Sequence, residues 1–211
     1  MMPNRLDALA DLSDAARADW YASLKEDEAD VLGLYWPLWA RAEQMPPTDD
    51  WHTWLICAGR GFGKTRAGAE WVRAVARSDP EARIALVGAS LGEVRSVMIE
   101  GESGILAVSP PDYAPQWEPS LRRLSWPGGA RGYCYSGAEP EALRGPQHSH
   151  AWCDELAKWS NARRRAISAW DNLQLGLRLG PNQQVLATTT PRAVAPPGVR
   201  RSTSKHERRS E

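Results

Sequence analysis

The run Ala58-Gly59-Arg60-Gly61-Phe62-Gly63-Lys64-Thr65 constrains this chain of 211 residues more than any other feature in it. It follows the spacing of a Walker A phosphate loop, with Ala58 where glycine is commoner. Glycines at this spacing let the backbone wrap an anion closely, so that its N–H groups point inward. The apolar run at 53–58 predicts a buried strand ahead of the loop. The pattern at 65–77 predicts a helix behind it, stopping before Asp79-Pro80. That helix would turn its N-terminus, and its partial positive charge, toward the phosphates. Lys64 would reach the β- and γ-phosphates of ATP, and Thr65 would hold Mg²⁺. Chance is the bland alternative, and the strand–loop–helix context weighs against it.

A second apolar run at 83–89, with a helix over about 91–99, repeats the strand–helix order. Such an order predicts an α/β fold in which helices cover both faces of a mostly parallel central sheet. Residues 121–136, broken by Pro127-Gly128-Gly129, predict a small β-hairpin insertion. A short strand at 150–153, a helix at 162–177 and a last strand at 183–188 follow. Residues 1–45 predict a helical segment with Ser13 and Ser23 as caps, ending in an aromatic stretch before Pro46-Pro47. Residues 46–192 would form the phosphate-loop domain. Residues 193–211, almost without apolar side chains, predict a disordered tail.

Asp154-Glu155 closes the apolar stretch Ala151-Trp152-Cys153. At the C-terminal end of a strand the pair would stand beside the phosphate loop, on an adjacent strand. Asp154 would then serve Mg²⁺, and Glu155 would polarise a water for attack on the γ-phosphate. Standing alone, such a pair is more often a solvated helix start. Arg60 is placed to reach the γ-phosphate, or serves the loop's solubility. Arg144 is either a surface charge or an arginine offered to a neighbouring subunit's nucleotide. Thr188-Thr189-Thr190 would sense hydrolysis from a strand end, or reflects β-propensity alone. Gln44, just ahead of the first strand, is placed to read adenine edges. Arg163-Arg164-Arg165 opens a predicted helix, where cations oppose the helix dipole, which hints at a phosphate partner, although a solvated face is the commoner meaning of such a run.

Composition narrows the class further. Residues 1–50 carry 11 acidic and 4 basic side chains and the remainder 15 and 22, so a formal charge of zero conceals a basic body suited to phosphate-rich partners. The longest apolar runs fall far short of the ~20 residues of a membrane span, and the N-terminus has no signal-like apolar core. Cys57, Cys134 and Cys153 lack metal-ligand spacing and leave one unpaired, which fits a reducing cytoplasm. Cys57 and Cys153 are expected to lie buried in neighbouring strands. The histidines show no ligand spacing, and the eleven tryptophans are expected in the core and at its edges.

The segments Leu38-Trp-Ala-Arg-Ala-Glu-Gln44, Gly59–Trp71, Leu143-Arg-Gly-Pro-Gln147, Ala151–Trp159 and Thr188-Thr-Thr-Pro-Arg192 together resemble the ATPase half of phage large terminase subunits. Those of prophages and gene transfer agents in high-GC bacteria are the most similar. The resemblance implies a motor that forms a ring on a portal protein and pumps double-stranded DNA into a capsid from the host bacterial cytoplasm. It implies roles in hydrolysis for Arg60, Glu155 and Arg144, a coupling role for the threonine run, and a small terminase subunit as partner. Such terminases continue into a nuclease domain. Here the composition of the last nineteen residues resembles an out-of-frame reading, which implies a truncated or frameshifted terminase without nuclease activity. Two rivals stand beside this expectation: a helicase-like DNA-dependent ATPase, and a catalytically silent fragment that binds nucleotide or a partner.

Overall fold

The computed structural model describes residues 12–24 and 32–191, with the side chains of 160–166 left out. The predicted tail, residues 1–11 and 25–31 of the N-terminal helical segment and the side chains of Arg163, Arg164 and Arg165 lie outside the described residues. Helix α1 (Asp14–Ala22) starts at Ser13, whose hydroxyl accepts from Ala16 N at 3.3 Å. Ser23 is the C-cap of this helix, its hydroxyl donating to the Trp20 carbonyl.

Seven strands form one sheet among the described residues: β1 (Thr53–Cys57), β2 (Arg83–Gly88), β3 (Gln116–Glu118), β4 (Arg123–Ser125), β5 (Arg131–Ser136), β6 (His150–Cys153) and β7 (Gln184–Thr189). Their order is β1-β7-β6-β2-β5-β4-β3. The first five run parallel, and β4 and β3 extend the sheet antiparallel. The expected α/β fold is therefore present. The predicted hairpin is less of an insertion than its sequence suggests, because its second strand, β5, pairs along all of β2. The short strand β3 gave no clear signal in the sequence.

Side chains alternate across the pleat. Ile84 and Leu86 join Trp54, Ile56, Trp152 and Leu186 on the face covered by helix α2 (Lys64–Ser78). Ala85 and Val87 join Ala151, Cys153, Val185 and Ala187 on the face covered by helix α3 (Arg163–Gly176), through Ala169 and Leu173. With both faces buried, the inner strands must read as continuous apolar runs. Each fully buried Leu or Ile stabilises the fold by roughly 1.5–3 kcal/mol. Helix α2 turns Ala67, Trp71, Val72 and Val75 to the core, carries Arg77 in its last turn, and ends at Asp79 ahead of Pro80. The expected helix at 91–99 is present, α-helical in its first turn, Leu91–Glu93, and continuing as a π-helix, Val94–Ile99.

One expectation about neighbours is overturned. Strand β7 separates β1 from β6, so the phosphate loop and the acidic pair do not leave adjacent strands. Cys153 is buried as expected, but Cys57 ends an edge strand and is exposed. Burial pushes the thiols of Cys134 and Cys153 up, which leaves neither as a thiolate nucleophile. No helix among the described residues is long and apolar enough to cross a membrane.

Candidate functional site

The phosphate loop leaves β1 still paired to the sheet, through Ala58 N to Thr189 O at 3.2 Å. Two glycines then take left-handed conformations, Gly61 at φ +76° and Gly63 at φ +82°. Side chains other than glycine pay for this region with steric strain. Gly63 is the N-cap of α2, and no side chain caps that helix. Its free N–H groups and dipole therefore face the loop. Lys64 is buried to 7% exposure, and its Nζ donates to the carbonyls of Ala58 and Gly59 at 3.0 Å each. The same ammonium lies 3.6 Å from Glu155 Oε1.

The acidic pair follows β6. Asp154 continues the ladder through its N–H to Val87 O, and its carbonyl accepts from Trp159 Nε1. Its carboxylate is 7% exposed, and Oδ1 accepts from the Thr188 hydroxyl at 2.6 Å. Among the described residues no hydrogen bond reaches Oδ2. Burial pushes the Asp154 carboxyl above its ordinary range. The Thr188 hydrogen bond opposes that shift, the Glu155 charge adds to it, and Lys158 and Lys64 oppose it. Glu155 stands at φ +47°, a left-handed value that costs a branched or long side chain about 1 kcal/mol. This kink carries the carboxylate out of the strand line toward Lys64 and the end of β7. There Oε1 accepts from the Thr190 hydroxyl at 2.7 Å and Oε2 from Thr190 N at 3.2 Å.

The threonine run divides its work by the period of the strand. Thr188 holds Asp154, and Thr190, two residues on, holds Glu155. Thr189, on the other face, accepts from Ala157 N at 3.1 Å and so fixes the turn that follows the acids. The strand between the loop and the acids thus binds to both acids by its polar end.

A cleft of about 400 Å³ joins these parts, with Arg60, Gly61, Phe62, Gly63, Lys64, Thr65 and Glu155 among its walls. Arg66, Ser96, Val97, Gly101, Glu102 and Ser103 complete it, and no motif in the sequence pointed to those last five. A larger cleft of about 670 Å³ opens near Pro46, Trp71 and His150, at the other end of the strands, and holds none of the candidate residues. The Thr65 hydroxyl and the Asp154 carboxylate are hard oxygen donors of the kind Mg²⁺ takes. Few protein ligands suffice for it, since phosphate oxygens and water complete its octahedron. Among the described residues no group of three or more His, Cys, Asp or Glu side chains that could hold a metal ion is present.

Ala58, Gly59, Asp154, Thr188, Thr189 and Thr190 are not among the cleft walls, and neither are Arg144 and Gln44. Arg144 follows the turn Pro140–Leu143, with its side chain 76% exposed and 3.7 Å from the Glu141 carboxylate, and is not among the cleft walls. Gln44 lies against the loop at 5% exposure, its Oε1 accepting from Arg41 N and its Nε2 donating to the Phe62 carbonyl. Arg41, which the sequence did not single out, shares one of those backbone partners.

A family profile described as terminase large subunit, T4likevirus-type, N-terminal, matches residues 55–195. The large terminase ATPase domain of Thermus phage P74-26 is similar at a TM-score of 0.53 and 16% identity, over 81% of this chain and 71% of that one. The N-terminal domain of the DNA packaging ATPase from bacteriophage phi29 is similar at 0.54 and 16% identity, over 69% and 76%. A large terminase from a thermophilic bacteriophage, in complex with ADP, is similar at 0.53 and 14% identity, over 78% of this chain and 38% of that one. At such identities the likeness is one of fold, and this chain spans well under half of the ADP-bound terminase. No curated protein sequence matches the chain.

Proposed function

Because the chain belongs to the phage large terminase subunit family, matching its N-terminal part, we propose that it hydrolyses ATP to ADP and phosphate to move double-stranded DNA into a capsid. The observation that carries this reading is the convergence of Lys64, Asp154 and Glu155 at the C-terminal ends of three neighbouring strands, β1, β6 and the intervening β7.

Each residue has a role that follows from its placement. The loop N–H groups and the start of α2 bind the phosphates. Lys64 exchanges the carbonyls of Ala58 and Gly59 for phosphate oxygens, which costs little because both partners are hydrogen-bond acceptors. The Thr65 hydroxyl and Asp154 would hold Mg²⁺, which supplies charge neutralisation across the phosphates when bound. Glu155 orients the attacking water and takes up its proton. Arg60, already on the cleft wall, offers positive charge to the γ-phosphate. Catalysis of this kind is positioning and charge stabilisation almost throughout.

Arg144 serves a neighbouring subunit in this reading, which its exposure and its absence from the walls of the chain's own cleft support. That role requires self-association into a ring, with portal protein and small terminase subunit as further partners in the host bacterial cytoplasm. The similar domains of phi29 and P74-26, a DNA packaging ATPase and a large terminase ATPase, support this reading.

Steady-state hydrolysis by the chain and two variants tests the proposal. Lys64→Ala is expected to lower kcat/KM by about 100-fold or more. Glu155→Gln is expected to lower kcat by roughly 10²–10⁴ while ATP affinity stays within a few-fold. Equal rates for all three proteins would remove this site from any catalysis. Turnover stimulated by DNA with no dependence on portal protein would favour the helicase-like rival.

A further inference from the structure

The carbonyl of Phe62, at the crest of the phosphate loop, is held from outside the loop by two side chains. Arg41 Nη2 donates to it at 2.6 Å and Gln44 Nε2 at 2.8 Å. The other end of the Gln44 amide, Oε1, accepts from Arg41 N at 2.9 Å and closes the turn Ala42–Gln44. The Arg41 guanidinium also lies over the Phe62 ring, 4.8 Å from its centroid. The fit is tight: a Cβ at Gly63 would come within 2.6 Å of Gln44 Nε2.

A glycine-rich loop has many conformations, and only those with inward N–H groups bind an anion. In a planar trans peptide the C=O and N–H point in opposite directions. Two donors that draw the Phe62 carbonyl outward therefore turn the Gly63 N–H inward, to the side of Lys64. Ordering the loop before a ligand arrives removes part of the entropy that binding would otherwise lose.

We infer that Arg41 and Gln44 are positioning residues that latch the phosphate loop in its anion-binding form through the Phe62 carbonyl, so that Gln44 acts on the phosphates of a nucleotide and not on its base. The inference rests on the nucleotide-binding reading above, and it makes the segment 36–44 part of the phosphate cradle.

Calorimetric titration of the chain with ATP, GTP and inorganic tripolyphosphate, each with Mg²⁺, tests it. Gln44→Ala and Arg41→Ala are expected to weaken all three by the same factor, about three- to tenfold, and to leave the ATP-to-GTP ratio unchanged. Gln44→Glu keeps the acceptor for Arg41 N but loses the donor to Phe62, and should weaken binding as Gln44→Ala does. Arg41 is exposed, so its variant keeps the test valid should Gln44→Ala unfold. Weaker ATP binding with tripolyphosphate unchanged would overturn the latch and return Gln44 to the base. Lys64-dependent binding unaffected by any latch variant would also overturn it. If the chain and Lys64→Ala bind tripolyphosphate equally, the nucleotide reading itself falls, and the latch with it.

Discussion

Gly68 shows how closely a residue in α2 can be specified by a partner far away in sequence. A Cβ there would lie 2.2 Å from Cε2 of Trp152, which is fully buried on β6. Alanine would raise helix propensity by about 1 kcal/mol, but overpacking against an immovable indole costs about 1–3 kcal/mol. Gly68→Ala is therefore expected to lower stability in urea denaturation, and an unchanged midpoint would mean that Trp152 yields. Asp154 is a residue of the opposite kind, placed for chemistry at the expense of stability. Its carboxyl titrates above the ordinary range because it is buried. The folded chain thus holds that proton more tightly than the unfolded chain, and stability falls as pH rises from about 3.8 through the folded pKa. Asp154→Asn keeps an oxygen for Thr188 and removes the charge. Its melting temperature should exceed that of the parent at pH 7 in the absence of Mg²⁺, while Mg²⁺-dependent hydrolysis is lost. A lower melting temperature at pH 7 would show that the buried charge is compensated.

Strand β7 is the element on which the site turns. Thr188 and Thr189 close the strand and Thr190 follows it, and the three alternate in what they hold, so their substitutions should separate cleanly. Thr190→Val removes the hydroxyl that holds Glu155 Oε1 and leaves the backbone amide on Oε2. It should lower kcat about tenfold with little change in melting temperature. Thr189→Val removes the hydroxyl that accepts from Ala157 N. It should lower stability by about 0.5–1.5 kcal/mol with kcat nearly kept. Reversal of these two outcomes, read by melts and turnover side by side, would deny β7 its divided role. The apolar runs that made β1, β2, β6 and β7 legible carry no record of which strands adjoin. Nor did the acidic pair reveal that a polar strand end would stand between it and the loop. Likewise β3, with three residues, forms only because β4 offers an edge.

At the scale of the whole molecule, acid stability depends on His148, where α3 returns to the sheet. Its N–H donates to Gly176 O at 2.9 Å, and its ring lies 5.3 Å from that of Tyr135. Neither imidazole nitrogen has a partner among the described residues, and burial pushes the pKa down to about 4. Between there and 6.5 the unfolded chain binds more protons at this site than the folded one, so stability rises with pH across that window. It is fully present above pH 6.5 and lost by about pH 4, a difference of about 3 kcal/mol. Unfolding free energies of the parent and His148→Phe, measured from pH 7 to pH 4, should diverge toward acid, with the variant losing less. Parallel profiles would show that His148 is not the titrating group. The comparison cancels Asp154 and Glu70, whose carboxyls are both raised by burial and act in the other direction.

Local order along the chain was enough to dictate the loop, its glycines, its lysine and the helix that follows, because each depends on residues within a turn or two of one another. The acidic pair was recognisable for the same reason, as carboxylates at the end of an apolar run. The loan of Thr188 and Thr190 to the acids and the seating of Arg41 and Gln44 on Phe62 arise between segments 18 to 35 residues apart, and strand order arises between segments farther apart still, with Thr53 paired to Val185. Contacts at that separation exist only once the sheet has closed and α2 has packed on it, and no local pattern encodes them.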